Sequence, residues 1–193
     1  MDPVIVTPPA SEPVTLSEAK AQLSVTSSAH DTRITSLITM ARRQVERYLK
    51  RALITQTWKV YYNCFHAVME LPYPPLQSVT HVKYFDDAGV QQTLTESDYY
   101  WVNSEHEPGQ IVRKYGAVFP EILAGRPNAV EIQYVAGYGD ADDVPEEIRH
   151  AILMLVTDYF DNRGEVVVGS IAQRIPGFIK DLVHDYRMYS FAH

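Results

Sequence analysis

"YVAGYGDADDVPEEIRH", residues 134–150, is the stretch on which the fold turns. It sets Asp140, Asp142 and Asp143 between two glycines, Gly137 and Gly139, and a proline, Pro145. A calcium loop, a phosphate loop and a plain connection compete for it. A calcium loop needs oxygen ligands at alternate positions, a central glycine and a distal bidentate Glu. Asp140 and Asp142 alternate, but the rest of that pattern is missing. A phosphate loop needs a glycine run ending in Lys-Ser/Thr, which "GYG" lacks. What remains is a strand end, a sharp turn on residues free to take positive φ, and a helix start. Pro145 suits a first helical position, and Asp143 precedes Glu146 by three residues. Gly137, Gly139 and Pro145 are therefore read as a structural strand-to-helix connection, with no metal and no cofactor.

On the C-terminal side, Ile148, Ile152, Leu155, Val156 and Tyr159 recur at helical spacing, and Gly164 suits a stop. "EVVVGSIAQRI" (165–175) has no helical period and reads as a loop or loose strand. "PGFIKDLVHDYRMY" (176–189) reads as a last short helix, with Phe178, Ile179, Leu182 and Val183 as its apolar residues.

On the N-terminal side the period changes to two. "VEIQYVAG" (130–137) alternates, with Val130, Ile132 and Tyr134 facing a core. "TWKVYY" (57–62) and "VTHVKYF" (79–85) are strands, and "DDAG" (86–89) turns the latter into "VQQTL" (90–94). "YYWVN" (99–103) and "QIVRK" (110–114) form a hairpin across "SEHEPG". "LPYPPLQ" (71–77), with three prolines, is excluded from a sheet interior. Connections this short predict a mostly antiparallel sheet.

Before the strands comes helix. Thr15 and Glu18 have capping-box spacing for a short helix at about 16–24, and Ser28 and Asp31 repeat it. Ile34, Leu37, Ile38, Ala41, Val45, Tyr48, Leu49 and Ala52 then form one apolar stripe. Arg43, Arg47 and Lys50 lie opposite it, with Arg42 and Arg51 flanking. Three readings fit this cluster: a solvated face with cations near the helix C-terminus, a contact with an acidic neighbour such as a second copy, or a nucleic-acid patch. Residues 1–14, with four prolines, read as a flexible arm. The expected organisation is arm (1–14), N-terminal helices (15–54), inserted β-rich region (55–137), C-terminal helices completing a helical core (138–187) and tail (188–193). The fold class is α+β, with the two helical ends packed together.

The 193 residues carry a net charge of -7, which argues against general duplex-DNA binding. Cys64 is the single cysteine, so an intrachain disulfide and a cysteine-built zinc site are excluded. The N-terminus lacks the look of a signal peptide, and the longest apolar run, Ala151 to Val156, falls far short of a membrane span. The seven histidines show no helical metal spacing, and no nucleophile motif surrounds a serine or Cys64. The chain is read as a non-enzyme. A small enzyme using His81, His106 or Asp140 is the rival of a different class. Thirteen tyrosines and two tryptophans lean slightly towards an interaction protein.

The order of motifs adds to this. "PVTLSEAKAQLSV" (13–25) with "HDTRITSLITMARRQVERYLKRALITQTW" (30–58), "LPYPPLQSVTHVKYFD" (71–86), "VEIQYVAGYGDADDVPEEIRHAILMLVTDYFDNR" (130–163) and "IPGFIKDLVHDYR" (175–187) together resemble the head–tail connector (adaptor, head-completion) proteins of tailed bacteriophages and prophages. The resemblance implies a structural ring, usually dodecameric, under the portal of a filled capsid. Such a ring extends the DNA channel without sequence-specific binding and docks the stopper or tail. It implies self-association, a portal partner and a stopper or tail-completion partner, with no membrane and no catalysis. A stopper or tail-completion protein is the nearest alternative. The chain departs from the pattern at Val183-His184-Asp185-Tyr186-Arg187, where a more apolar, proline-containing run is expected, and in an inserted sheet larger than the all-helical connectors have.

Overall fold

The structure, a computed structural model, describes residues 3–104, 107–162 and 175–188. The chain forms two compact units, one drawn from residues up to 10 with 55–137, the other from 11–54 with 138 onward.

The second unit is helical. Helix α1 (Leu16–Gln22) starts in a complete capping box, in which Glu18 Oε2 accepts from the Thr15 N–H at 2.7 Å and Thr15 Oγ1 accepts from the Glu18 N–H at 3.2 Å. Helix α2 (Asp31–Leu49) buries Ile34, Ile38, Ala41, Val45 and Leu49. Helix α3 (Glu146–Asp161) buries Ile148, Ala151, Ile152, Leu155, Val156 and Phe160, and packs on α2. Each large aliphatic side chain in that seam contributes roughly 1.5–3 kcal/mol of burial. A short α4 (Gly177–Leu182) adds Ile179, and Val183 follows it into the same core.

The first unit holds two sheets whose described strands pair antiparallel throughout. The larger has the order β1-β2-β8-β4-β5: β1 (Val4–Thr7), β2 (Gln56–Tyr62), β8 (Val130–Ala136), β4 (Leu76–Phe85) and β5 (Gln91–Thr93). Central β8 alternates fully, with Val130, Ile132, Tyr134 and Ala136 buried. Opposite them sit Trp58 and Val60 of β2 and Val79 and Val82 of β4. Trp58 stacks on Tyr73 at 4.4 Å, and the Tyr134 hydroxyl donates to the Pro72 carbonyl at 2.7 Å. The smaller sheet has the order β3-β7-β6: β3 (Val68–Leu71), β7 (Gly109–Arg113) and β6 (Tyr99–Val102).

The α+β class and the packing of N-terminal on C-terminal helices agree with the sequence reading. Several local expectations do not. Residues 4–7 are no loose arm, because they pair with β2 as an edge strand. Val14 is buried in the helical core, and Glu12 holds Arg42 at 2.6 Å. An edge strand of this kind takes its stability from the neighbour it pairs with, which its own sequence does not encode. Ser28 does not cap α2. Ser27 caps the 3₁₀ turn Ser28–His30, and Asp31 turns to Lys20 at 2.7 Å. Pro145 precedes the first helical residue, and its carbonyl accepts from the Ile148 and Arg149 amides. There are two sheets where one was expected, and β3 was missed between short breaker-rich segments. Of the predicted apolar residues of α4, Ile179 and Val183 are buried, whereas Phe178 and Leu182 are exposed. Met188, assigned to the tail, is buried and donates its N–H to the Leu49 carbonyl at 2.9 Å. The helix stop at Gly164, the loop reading over 165–174 and residues 189–193 of the tail lie outside the described residues.

Candidate functional site

The strand-to-helix connection is built from backbone freedom. Gly137 and Gly139 have φ of 132° and 142°, a region that L side chains rarely adopt. The Gly137 N–H donates to the Pro75 carbonyl at 2.9 Å, and the Tyr138 N–H to the Leu53 carbonyl at 3.1 Å. Gly139 pairs with Ile54 in a parallel bridge. A Cβ on Gly139 would lie 2.2 Å from Asp143 Oδ2, the atom that accepts from the Asp140 N–H at 2.9 Å. The Asp143 carboxylate therefore braces the turn. Among the described residues no three His, Cys, Asp or Glu side chains are grouped to hold a metal ion.

The α2 cations separate into two sets. Arg42 and Arg51 are buried. Arg42 donates to Glu12 and to Glu46, each at 2.6 Å, and Glu46 Oε1 accepts from the Leu53 N–H at 3.1 Å. Arg51 Nε donates to the Tyr186 carbonyl at 2.5 Å. These two arginines hold the N-terminal segment, the end of α2 and the last turn together. Arg43, Arg47 and Lys50 are exposed, as their place opposite the stripe predicts. Lys50 sits in the left-handed region with φ 55°, a position where helices usually place glycine.

Beside them is a groove of about 270 Å³ where α2 ends. Arg47, Tyr48 and Lys50 form one wall, Lys180 and Arg187 the other. The Arg187 guanidinium lies 4.9 Å and the Lys180 ammonium 5.8 Å from the Tyr48 ring centroid. The sequence reading missed Lys180 and Arg187. Their signal was two cations in a segment read only for its apolar residues.

The enzyme reading finds no assembled centre among these residues. His81 belongs to β4 and is engaged by Glu131, 3.0 Å from its Nε2, while Lys59 Nζ reaches the same carboxylate at 3.0 Å. Burial pushes the Glu131 carboxyl up, but hydrogen bonds and charge from His81 and Lys59 outweigh it and hold the group below the ordinary range. Asp140 belongs to the helical unit, in the turn before α3. His106 lies outside the described residues. Cys64 Sγ lies 3.4 Å from His66 Nε2 at the rim of an open groove of about 500 Å³ that also includes Arg113 and Glu121. The C-x-H spacing was its only sequence signal. No helix among the described residues is long and apolar enough to cross a membrane.

A family profile described as head completion protein matches residues 12–189. No curated protein matches. Solved structures do. A chain from the neck of an empty gene transfer agent particle, computed with C6 symmetry, and one from the virion of the native particle each superpose with a TM-score of 0.80 at 22% identity, covering 100% of this chain and 98% of theirs. A chain from the neck of the native particle, computed with C12 symmetry, matches with a TM-score of 0.74 at 21% identity over the same shares. At that identity the likeness is one of fold.

Proposed function

The chain belongs to the head completion protein family, and from that premise we propose that it is a structural head–tail connector, placed at the head–tail interface of a phage-like particle. The observation that carries this reading is the family match over nearly the whole chain, supported by a fold shared end to end with proteins from a particle neck. In the proposed arrangement copies assemble as a ring, dodecameric in the virion, under the portal protein. The ring extends the DNA channel and docks the stopper or tail-completion protein. The work is mechanical and needs no catalytic group.

The charge distribution agrees. A chain of net charge -7 offers DNA a conduit that does not grip, because tight non-specific binding requires many Lys and Arg contacts to phosphate. The exposed Arg43, Arg47 and Lys50 are the proposed subunit or partner contact. Gly137, Gly139 and Pro145 are proposed as the structural link that returns the chain from the β unit to the helical core.

The test is the mass of the assembly, by native mass spectrometry or light scattering, with and without the portal protein from the same genome. A ring, or a portal-dependent shift to a ring-sized complex, is expected. A monomer that ignores the portal overturns the reading.

A further inference from the structure

Charge is placed unevenly in the helical unit. Arg47, Lys50, Lys180 and Arg187 converge on one groove around Tyr48. Among the described residues no carboxylate forms an ion pair with Arg47, Lys50 or Lys180. Cations gathered this closely repel one another, and the Tyr48 ring relieves that only in part. Lys50 also accepts a left-handed backbone where glycine would be easier. A chain of net charge -7 thus places Arg47, Lys50 and Lys180 around one groove, and among the described residues no carboxylate pairs with any of these three.

The same unit carries the complementary face. Asp140, Asp142, Asp143, Glu146 and Glu147 are exposed around the start of α3. Asp143 is occupied by the Asp140 N–H, and Glu147 Oε2 accepts from the Tyr186 hydroxyl at 2.9 Å. Asp142 and Glu146 have no ion-pair partner among the described residues. The turn at His184–Tyr186, with the Arg187 that follows it, touches both faces. Tyr186 sends its side chain to Glu147 of α3, and its neighbour Arg187 lies over Tyr48 of α2. Among the described residues no ion pair joins the two faces within one copy.

We infer that the groove of Arg47, Lys50 and Lys180 on one copy receives the Asp142 and Glu146 carboxylates of the next. This rests on the connector reading above and deepens it. The contact is heterologous: basic face to acidic face, repeated in one direction until the rotation closes a ring. The net charge of -7 favours this occupant over DNA phosphate, because a polyanion is repelled by the chain as a whole.

The experiment uses the full chain, with its portal protein as template, and reads ring formation by native mass spectrometry. Reversing the groove (R47E with K180E), or the acidic face (D142K with E146K), should lower the assembled fraction at a given concentration roughly tenfold or more. Mixing the two reversed proteins should restore rings of alternating copies, and the chain carrying all four reversals should form rings by itself. K50G separates folding from assembly: it should unfold at a higher temperature while assembling less well. Rings unaffected by any reversal would overturn the seam and leave the connector reading standing. A wild-type chain that never assembles, even on portal, would remove the connector reading itself and the seam with it. A two-fold dimer as the only assembly, or rings that persist while R47E with K180E abolishes salt-sensitive DNA retention, would also overturn the seam.

Discussion

Arg42 and Glu46, one helical turn apart on α2, meet at 2.6 Å with both side chains nearly removed from solvent. The other edge of the guanidinium reaches Glu12, also at 2.6 Å, and the second Glu46 oxygen accepts from the Leu53 N–H. The pair thus pins the segment before α1 and the chain leaving α2 to the same point. Arg42→Ala leaves Glu46 buried without its cation, and this should cost about 3–5 kcal/mol. Arg42→Met with Glu46→Gln removes both charges and keeps an acceptor for Leu53, so most of the loss should return. Urea unfolding of the three proteins checks this. A single substitution as mild as the double one would show the pair to be dispensable.

Two glycines are fixed by contact and one is not. A Cβ on Gly109 would lie 2.8 Å from Leu76 Cβ, an atom too close to backbone to move away. Gly139→Ala meets Asp143 Oδ2 and adds strain at φ 142°. Each alanine should cost about 1–3 kcal/mol. Gly177, the first residue of α4, has open space around its Cβ direction. Gly177→Ala should stabilise by about 0.4–1 kcal/mol. Thermal unfolding of the three variants gives the order, and a destabilised Gly177→Ala would contradict the placement of α4.

The features legible in the sequence are those whose causes are local. The Thr15–Glu18 box closes because both partners lie within one turn. The "DDAG" turn forms because Gly89 takes φ 77° and its N–H reaches the Asp86 carbonyl at 2.9 Å. The alternation of β8 is local too, because a pleated strand sends successive side chains to opposite faces and Val130, Ile132, Tyr134 and Ala136 share the buried one. What escaped depends on partners far along the chain. Val4–Thr7 becomes a strand only because β2 is beside it. Arg42 read as a flanking surface charge because nothing in α2 reveals that Glu12 waits across the core edge. The groove could not be read either, since Lys180 and Arg187 reach Tyr48 from the far end of the sequence.

The capping box gives a pH dependence with a defined sign. Hydrogen bonds from the Thr15 N–H and hydroxyl hold the Glu18 carboxyl below its ordinary value; burial opposes them, and the Arg149 charge and hydrogen bond add to them. The folded state therefore binds this proton less readily than the unfolded state does. The stabilisation is fully present above the unfolded value of about 4.3 and is lost as pH falls through the lower folded value. Glu18 is partly exposed, so solvent screens the Arg149 pair and the benefit at neutral pH should be only about 1 kcal/mol. Glu18→Gln should thus lower the urea midpoint at pH 7, and the gap to wild type should close in acid. A gap independent of pH would mean that the carboxylate charge contributes nothing.

Helix α4 tests how the last segment docks. Ile179 is wholly buried, and Phe178 beside it is 59% exposed. In six helical residues only one face can reach the core, and Val183 extends that face from the following turn. Ile179→Ala leaves a cavity among packed side chains and should cost about 2–5 kcal/mol. Phe178→Ala removes more atoms but from solvent, and should change stability by no more than about 0.5 kcal/mol. Chemical unfolding of the unassembled chain measures both. The order is opposite to what side-chain size alone predicts. Equal losses at the two positions would place Phe178 in a core it does not occupy here and would require α4 to be rotated about its axis.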